Sequence, residues 1–183
     1  MKHSRWLLLF VLGCADCNPE ETRISAPRVY TWEEWPLRME LSANLTPCQN
    51  AGIRAGITYW ESLAKRKLIV VREVPENTLS VSGIVPKGVI GVVRAPMFKP
   101  ETIDQVEWTP LLKEGKNVGL LHSAEMRVQG CSLRAFAHEV GHVLGLEHAQ
   151  GPRLLMTEAH DPDAWEITDA ELMAVVAPWP RKD

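Results

Sequence analysis

Ser132-Leu133-Arg134-Ala135-Phe136-Ala137-His138-Glu139-Val140-Gly141-His142-Val143-Leu144-Gly145-Leu146-Glu147-His148 is the stretch on which the reading turns. Ser132 is a good N-cap, and the residues after it form a strongly helical run, so a helix is expected from Ser132 to near Gly145. His138 and His142 lie four apart and share one helix face, where both imidazoles can reach one metal ion. Glu139 projects beside the same place and can take a proton from a water on that metal. Gly145 accepts positive φ without a steric penalty, so the chain can turn sharply there and bring back His148 as a third ligand. Three protein ligands leave one tetrahedral position open, as in a catalytic zinc site and unlike a closed structural one.

The pattern H-E-x-x-H-x-x-G-x-x-H would arise by composition alone in about 4 of 100,000 chains of this kind. A helix with incidental histidines would also bury three imidazoles and a carboxylate without partners, which is costly. The zinc reading therefore stands ahead of it.

Outward from the motif, Leu155-Met156 lies eight residues past His148, Glu147 precedes the third ligand, and Ile167-Thr168-Asp169-Ala170-Glu171 contains a capping box that opens another helix. With these features the stretch Ala137 to Met156 resembles the zinc-binding region of the metzincin metallopeptidases, and among them the matrixins. The likeness is specific over about forty residues, counted from the motif to the last helix start. It implies a zinc endopeptidase with a twisted mixed sheet of about five strands, a backing helix, an active-site helix and a C-terminal helix. It also implies that Met156 forms the apolar base under the metal and that residues Thr157 to Glu166 wall the pocket after the scissile bond. Read by itself, Met156 is a core methionine. No inhibitory cysteine motif of a matrixin pro-segment is visible. The segment Arg94 to Lys116 has no histidine, so a second, structural zinc is not expected.

The rest of the chain agrees with an α/β or α+β sheet. Leu37, Met39 and Leu41 alternate with charged residues as in a half-buried strand. Thr46-Pro47-Cys48-Gln49 opens a helix with a capping box, and Ile53, Ile57, Trp60 and Ala64 follow on one face. Leu68-Ile69-Val70-Val71 reads as a strand covered on both faces. Strands are also expected at Leu79–Gly83, Val89–Val93 and Asn117–Glu125. Arg94 to Lys116, with Pro96, Pro100, Pro110 and Gly115, reads as a long loop. Val89 to Val93 is the expected edge strand for an extended substrate.

The N-terminus reads as an export signal. Lys2 and Arg5 precede the apolar run Trp6 to Leu12, which is too short to span a bilayer as a helix. Residues 1–13 are taken as signal peptide, 14–34 as a lipid-anchored or flexible tether, and 35–183 as the peptidase domain. Val11-Leu12-Gly13-Cys14 resembles a bacterial lipobox with Cys14 as the lipidated residue, and cleavage near Ala15 as a plain secretory peptide is the competing outcome. Export favours pairing of Cys48 with Cys131, the two cysteines inside the domain; buried free thiols are the alternative. Cys17 is left in the tether.

Charge narrows the partners. Lys and Arg number 20 against 23 Asp and Glu, a net charge of -3, so nothing drives nucleic-acid binding. A peptide or protein substrate, a monomer, and membrane contact only through an N-terminal lipid are expected. His122 reads as a satisfied core or edge histidine and His160 as a surface one. Glu158, Asp161 and Asp163 offer oxygen ligands for Ca²⁺, although a solvated loop is the better reading. A zinc-binding lipoprotein without catalysis, recognising a protein partner, is the competing function, and intact Glu139 speaks against it.

Overall fold

Three side-chain caps set the helices. The Thr46 hydroxyl accepts from the Gln49 amide N–H while the Gln49 side chain accepts from the Thr46 amide, and Pro47 takes a first helical position. Helix α1 runs from there over Pro47–Ala64 and stops at Lys65 in the left-handed region. Ser132 caps α2, Leu133–Val143, by accepting from the Ala135 amide. Thr168 and Glu171 cap α3, Asp169–Val176, reciprocally. All three starts follow the sequence pattern, because capping is local chemistry.

The computed structural model describes residues 32–76, 78, 85–94, 105–113, 116–158 and 163–176. The expected signal, tether, Cys14, Cys17, strand Leu79–Gly83, His160 and Asp161 lie outside them. Five strands form one mixed sheet: β1 (Leu37–Ser42), β2 (Ile69–Val74), β3 (Val89–Arg94), β4 (Gln105–Lys113) and β5 (Lys116–Val128), in the order β2-β1-β3-β5-β4. β1 is parallel to β2 and β3, β3 is parallel to β5, and β4 alone runs antiparallel, at the edge. With the three helices defined among the described residues, this is the expected mixed α/β architecture.

Three expectations change. The segment Arg94 to Lys116 contains β4 and is not a loop throughout. Pro110 argued against a strand, but it sits on an edge strand at a register shift, where a missing N–H is tolerated. β3 is central, flanked by β1 and β5, so Val89 to Val93 is not an edge. The apolar run at β2 is not covered on both faces: Leu68 and Ile69 are buried, but Val70 is 47% exposed.

Packing brings α2 against α1. Gly52 and Gly56 lie one turn apart on α1, and a Cβ on Gly56 would stand 3.0 Å from the Ala137 amide nitrogen of α2. A Cβ on Gly52 would collide with the Phe136 ring. These glycines let the two helices approach closely. One apolar core joins Met39, Leu41, Ile90 and Met126 of the sheet to Ile53 and Trp60 of α1 and Phe136 and Val140 of α2. Cys48 and Cys131 form a disulfide with Cα atoms 5.9 Å apart, and Gln49 donates to the Gln129 carbonyl nearby. Both cysteines are exposed, which removes the buried-thiol alternative.

Candidate metal centre

Helix α2 carries His138 and His142 on one face, and their Nε2 atoms stand 3.0 Å apart. Each ring commits its other nitrogen to a backbone carbonyl. His138 Nδ1 meets the Leu155 carbonyl at 2.8 Å, and His142 Nδ1 meets the Leu146 carbonyl at 2.7 Å. A carbonyl accepts only, so these bonds place the protons on Nδ1 and leave two Nε2 lone pairs facing each other. Two lone pairs at that separation repel unless a cation lies between them.

His148 completes the cluster. Gly145, at φ 93°, turns the chain after α2, with its N–H donating to the His142 carbonyl. The same turn carries the Leu146 carbonyl back to His142 and swings His148 to the other two rings, 5.4 Å from His138 and 4.8 Å from His142 between centroids. Nitrogen atoms of the three side chains all lie within 4.8 Å of one another. His138 is buried, His142 half-buried and His148 exposed, so the cluster faces solvent on one side.

Electrostatics keeps the two helix histidines neutral. Burial lowers the His138 pKa from 6.5 to about 3, helped by His142, with the Leu155 carbonyl opposing and His148 and Arg134 adding smaller downward pushes. Burial lowers His142 to about 4, with the Leu146 carbonyl opposing and His148 adding to the fall. Neutral imidazole is the form that binds metal, and the three nitrogen donors could hold one ion. Glu139 is 4% exposed, between the two helix ligands in sequence.

Three indoles hold α2 in place. Trp60 donates to the Ala137 carbonyl at 2.7 Å, Trp32 to Val143 at 2.7 Å and Trp108 of β4 to His142 at 3.0 Å. Each bond contributes about 1 kcal/mol and fixes a carbonyl of the helix that carries the ligands. The Trp108 ring also stands edge-on to His142, 6.0 Å between centroids. Met156 lies beneath α2: a Cβ on Gly141 would come within 2.9 Å of Met156 Cε and 3.1 Å of Trp60 Cζ2. The loop after His148 is tied by the Ala149 N–H to the Met156 carbonyl, 2.8 Å.

Of the expected residues, His138, His142 and His148 come together, Gly145 makes the turn that allows it, and Met156 packs under Gly141; Glu139 is buried in the same stretch of α2. His122 is elsewhere, half-buried on β5. Glu158 and Asp163 are exposed. Sequence reasoning overlooked Gly141, Trp108 and Arg134. A helix-interior glycine is a usable signal, because it weakens a helix unless packing needs it. The other two act through long-range bonds to carbonyls, which no local pattern announces. No protein-family model matches the chain, and no curated protein matches it in sequence. Among the described residues no helix is long and apolar enough to cross a membrane.

Proposed function

We propose that the chain is an exported zinc-dependent endopeptidase of the matrixin-like metzincin type. The carrying observation is the pair of buried imidazoles whose Nε2 atoms converge while both Nδ1 atoms are held by carbonyls, with His148 closing the set. His138, His142 and His148 would hold the ion. Zinc, when bound, supplies Lewis acidity at the position the three ligands leave open. Glu139 takes a proton from the attacking water on its carboxylate and returns it to the departing amine nitrogen. The support for this role is its place in the motif, directly after the first candidate ligand.

Substrate orientation follows from the sheet. β4 replaces Val89 to Val93 as the edge strand: it is outermost, and its Trp108 touches His142. An extended peptide pairing with β4 would pass beside the ligands, whereas the other edge, β2, lies across the sheet. The signal-like N-terminus and the Cys48–Cys131 disulfide support an oxidising compartment.

The deciding experiment is hydrolysis of a quenched peptide library by the purified domain, with and without chelator. Zinc-dependent cleavage is the expected result. A zinc-loaded, folded protein that cleaves no peptide would instead favour the partner-binding lipoprotein.

A further inference from the structure

Arg134 sits one helical turn before His138 and is only 6% exposed. Its guanidinium faces the protein interior. Nε donates to the Ala164 carbonyl at 3.2 Å, and Nη2 donates to the Leu155 carbonyl at 3.2 Å and reaches Thr157 Oγ1 at 3.5 Å. Leu155 is the residue whose carbonyl also holds His138 Nδ1, at 2.8 Å. One carbonyl oxygen therefore joins a metal-binding imidazole and a buried cation. The planar fork of arginine can tie Leu155 and Ala164 at once, which a lysine ammonium at the same place does less well.

We propose that Arg134 is a positioning residue for His138, acting through the Leu155 carbonyl. By anchoring that oxygen to the segment at Ala164, it fixes where Nδ1–H must point and so which nitrogen of His138 is presented to the metal. Outer partners of this kind set the tautomer and orientation of ligating histidines and are worth about 10- to 100-fold in metal affinity. His142 meets His138 through Nε2 but is held by a different partner: its Nδ1 faces the Leu146 carbonyl, carried by the turn at Gly145. The two helix ligands are thus oriented by different devices, and that difference makes the role testable.

This inference rests on the metal site of the proposed function but not on turnover. The experiment compares wild type with Arg134→Met and Arg134→Lys in the full domain. Long-range ¹⁵N–¹H correlation spectra of the imidazoles report tautomers in the metal-free protein, and competition with a chromophoric chelator reports zinc affinity. Wild type should show Nδ1–H at both helix histidines. Arg134→Met should convert His138 alone to a mixture of tautomers and weaken zinc about 10- to 100-fold. Arg134→Lys, which keeps the charge and a donor, should recover part of both changes. If Arg134→Met does not fold, the Lys variant carries the test: a mixed His138 beside an unchanged His142 supports the role. Unchanged tautomers with unchanged affinity overturn it. So does an equal shift of both histidines, which marks general loosening of α2. A wild-type protein that shows these tautomers and binds zinc yet cleaves no peptide would defeat the peptidase reading and leave the role of Arg134 standing.

Discussion

In the proposed peptidase, Glu139 and the two helix histidines would divide the chemistry at the residue scale, and each can be tested separately. Glu139 has no place among the three ligand nitrogens, so Glu139→Gln should keep zinc while turnover falls about 10²- to 10⁴-fold, the range for a lost acid–base group. Zinc content and peptide cleavage measured on the same sample decide this; retained cleavage in the folded, loaded variant would remove Glu139 from the mechanism. The histidines make a separate statement about acid. Burial first, with the neighbouring imidazoles adding to it, lowers His138 to about 3 and His142 to about 4, against 6.5 when unfolded. Above pH 6.5 both states are neutral there. As pH falls below it, the unfolded chain binds protons that the folded chain refuses, so stability declines until about pH 4 to 3. Metal-free protein should therefore lose urea stability between pH 7 and pH 5, above the range of ordinary carboxylates. His142→Gln should flatten that dependence. Equal slopes in the two proteins would show that this histidine is not a source of the acid sensitivity.

At the scale of elements, the close crossing of α1 over α2 depends on Gly56, whose added Cβ would stand 3.0 Å from α2 backbone. Backbone cannot rotate away as a side chain can, so Gly56→Ala should cost about 1–3 kcal/mol, as overpacking does. Urea unfolding of the metal-free domain measures this directly, and no loss would mean that the helices separate without penalty. The same elements show what could be read in advance. Helix starts were legible because Thr46, Ser132 and Thr168 act on their own next turn. Gly145 and the three ligands were legible because helix period and one turn bring them together. Sheet position was not: the apolar run of β2 looks covered on both faces, yet Val70 is exposed and the strand lies at an edge. Pro110 hid β4, since a proline that breaks a central strand is harmless at an edge. Trp108 and Arg134 escaped notice because their partners, the carbonyls of His142, Leu155 and Ala164, lie at least 21 residues away.

The whole molecule couples its candidate metal site to its fold. His138 and His142 belong to α2, which is packed on α1, tied to β4 by Trp108, and joined to the segment carrying Met156 through Leu155. His148 arrives from beyond the Gly145 turn. A cation gripping all three rings therefore holds α2 and the following loop together, and it binds the unfolded chain far less well because there the ligands are dispersed. Any ion with that preference stabilises the folded state by mass action, by about 4 kcal/mol when free zinc is about 1,000-fold above its dissociation constant. Chelated protein should accordingly unfold at a lower temperature than the zinc-loaded form, and the difference should grow with free zinc. His148→Ala should shrink the increment while leaving the metal-free transition near that of wild type, because His148 is exposed and packs little. Elemental analysis of the loaded protein should find one zinc per chain, as a single three-histidine cluster requires among the described residues. Transitions that coincide with and without zinc would mean that the cluster does not hold the ion in the folded protein, and the peptidase proposal would fall with it.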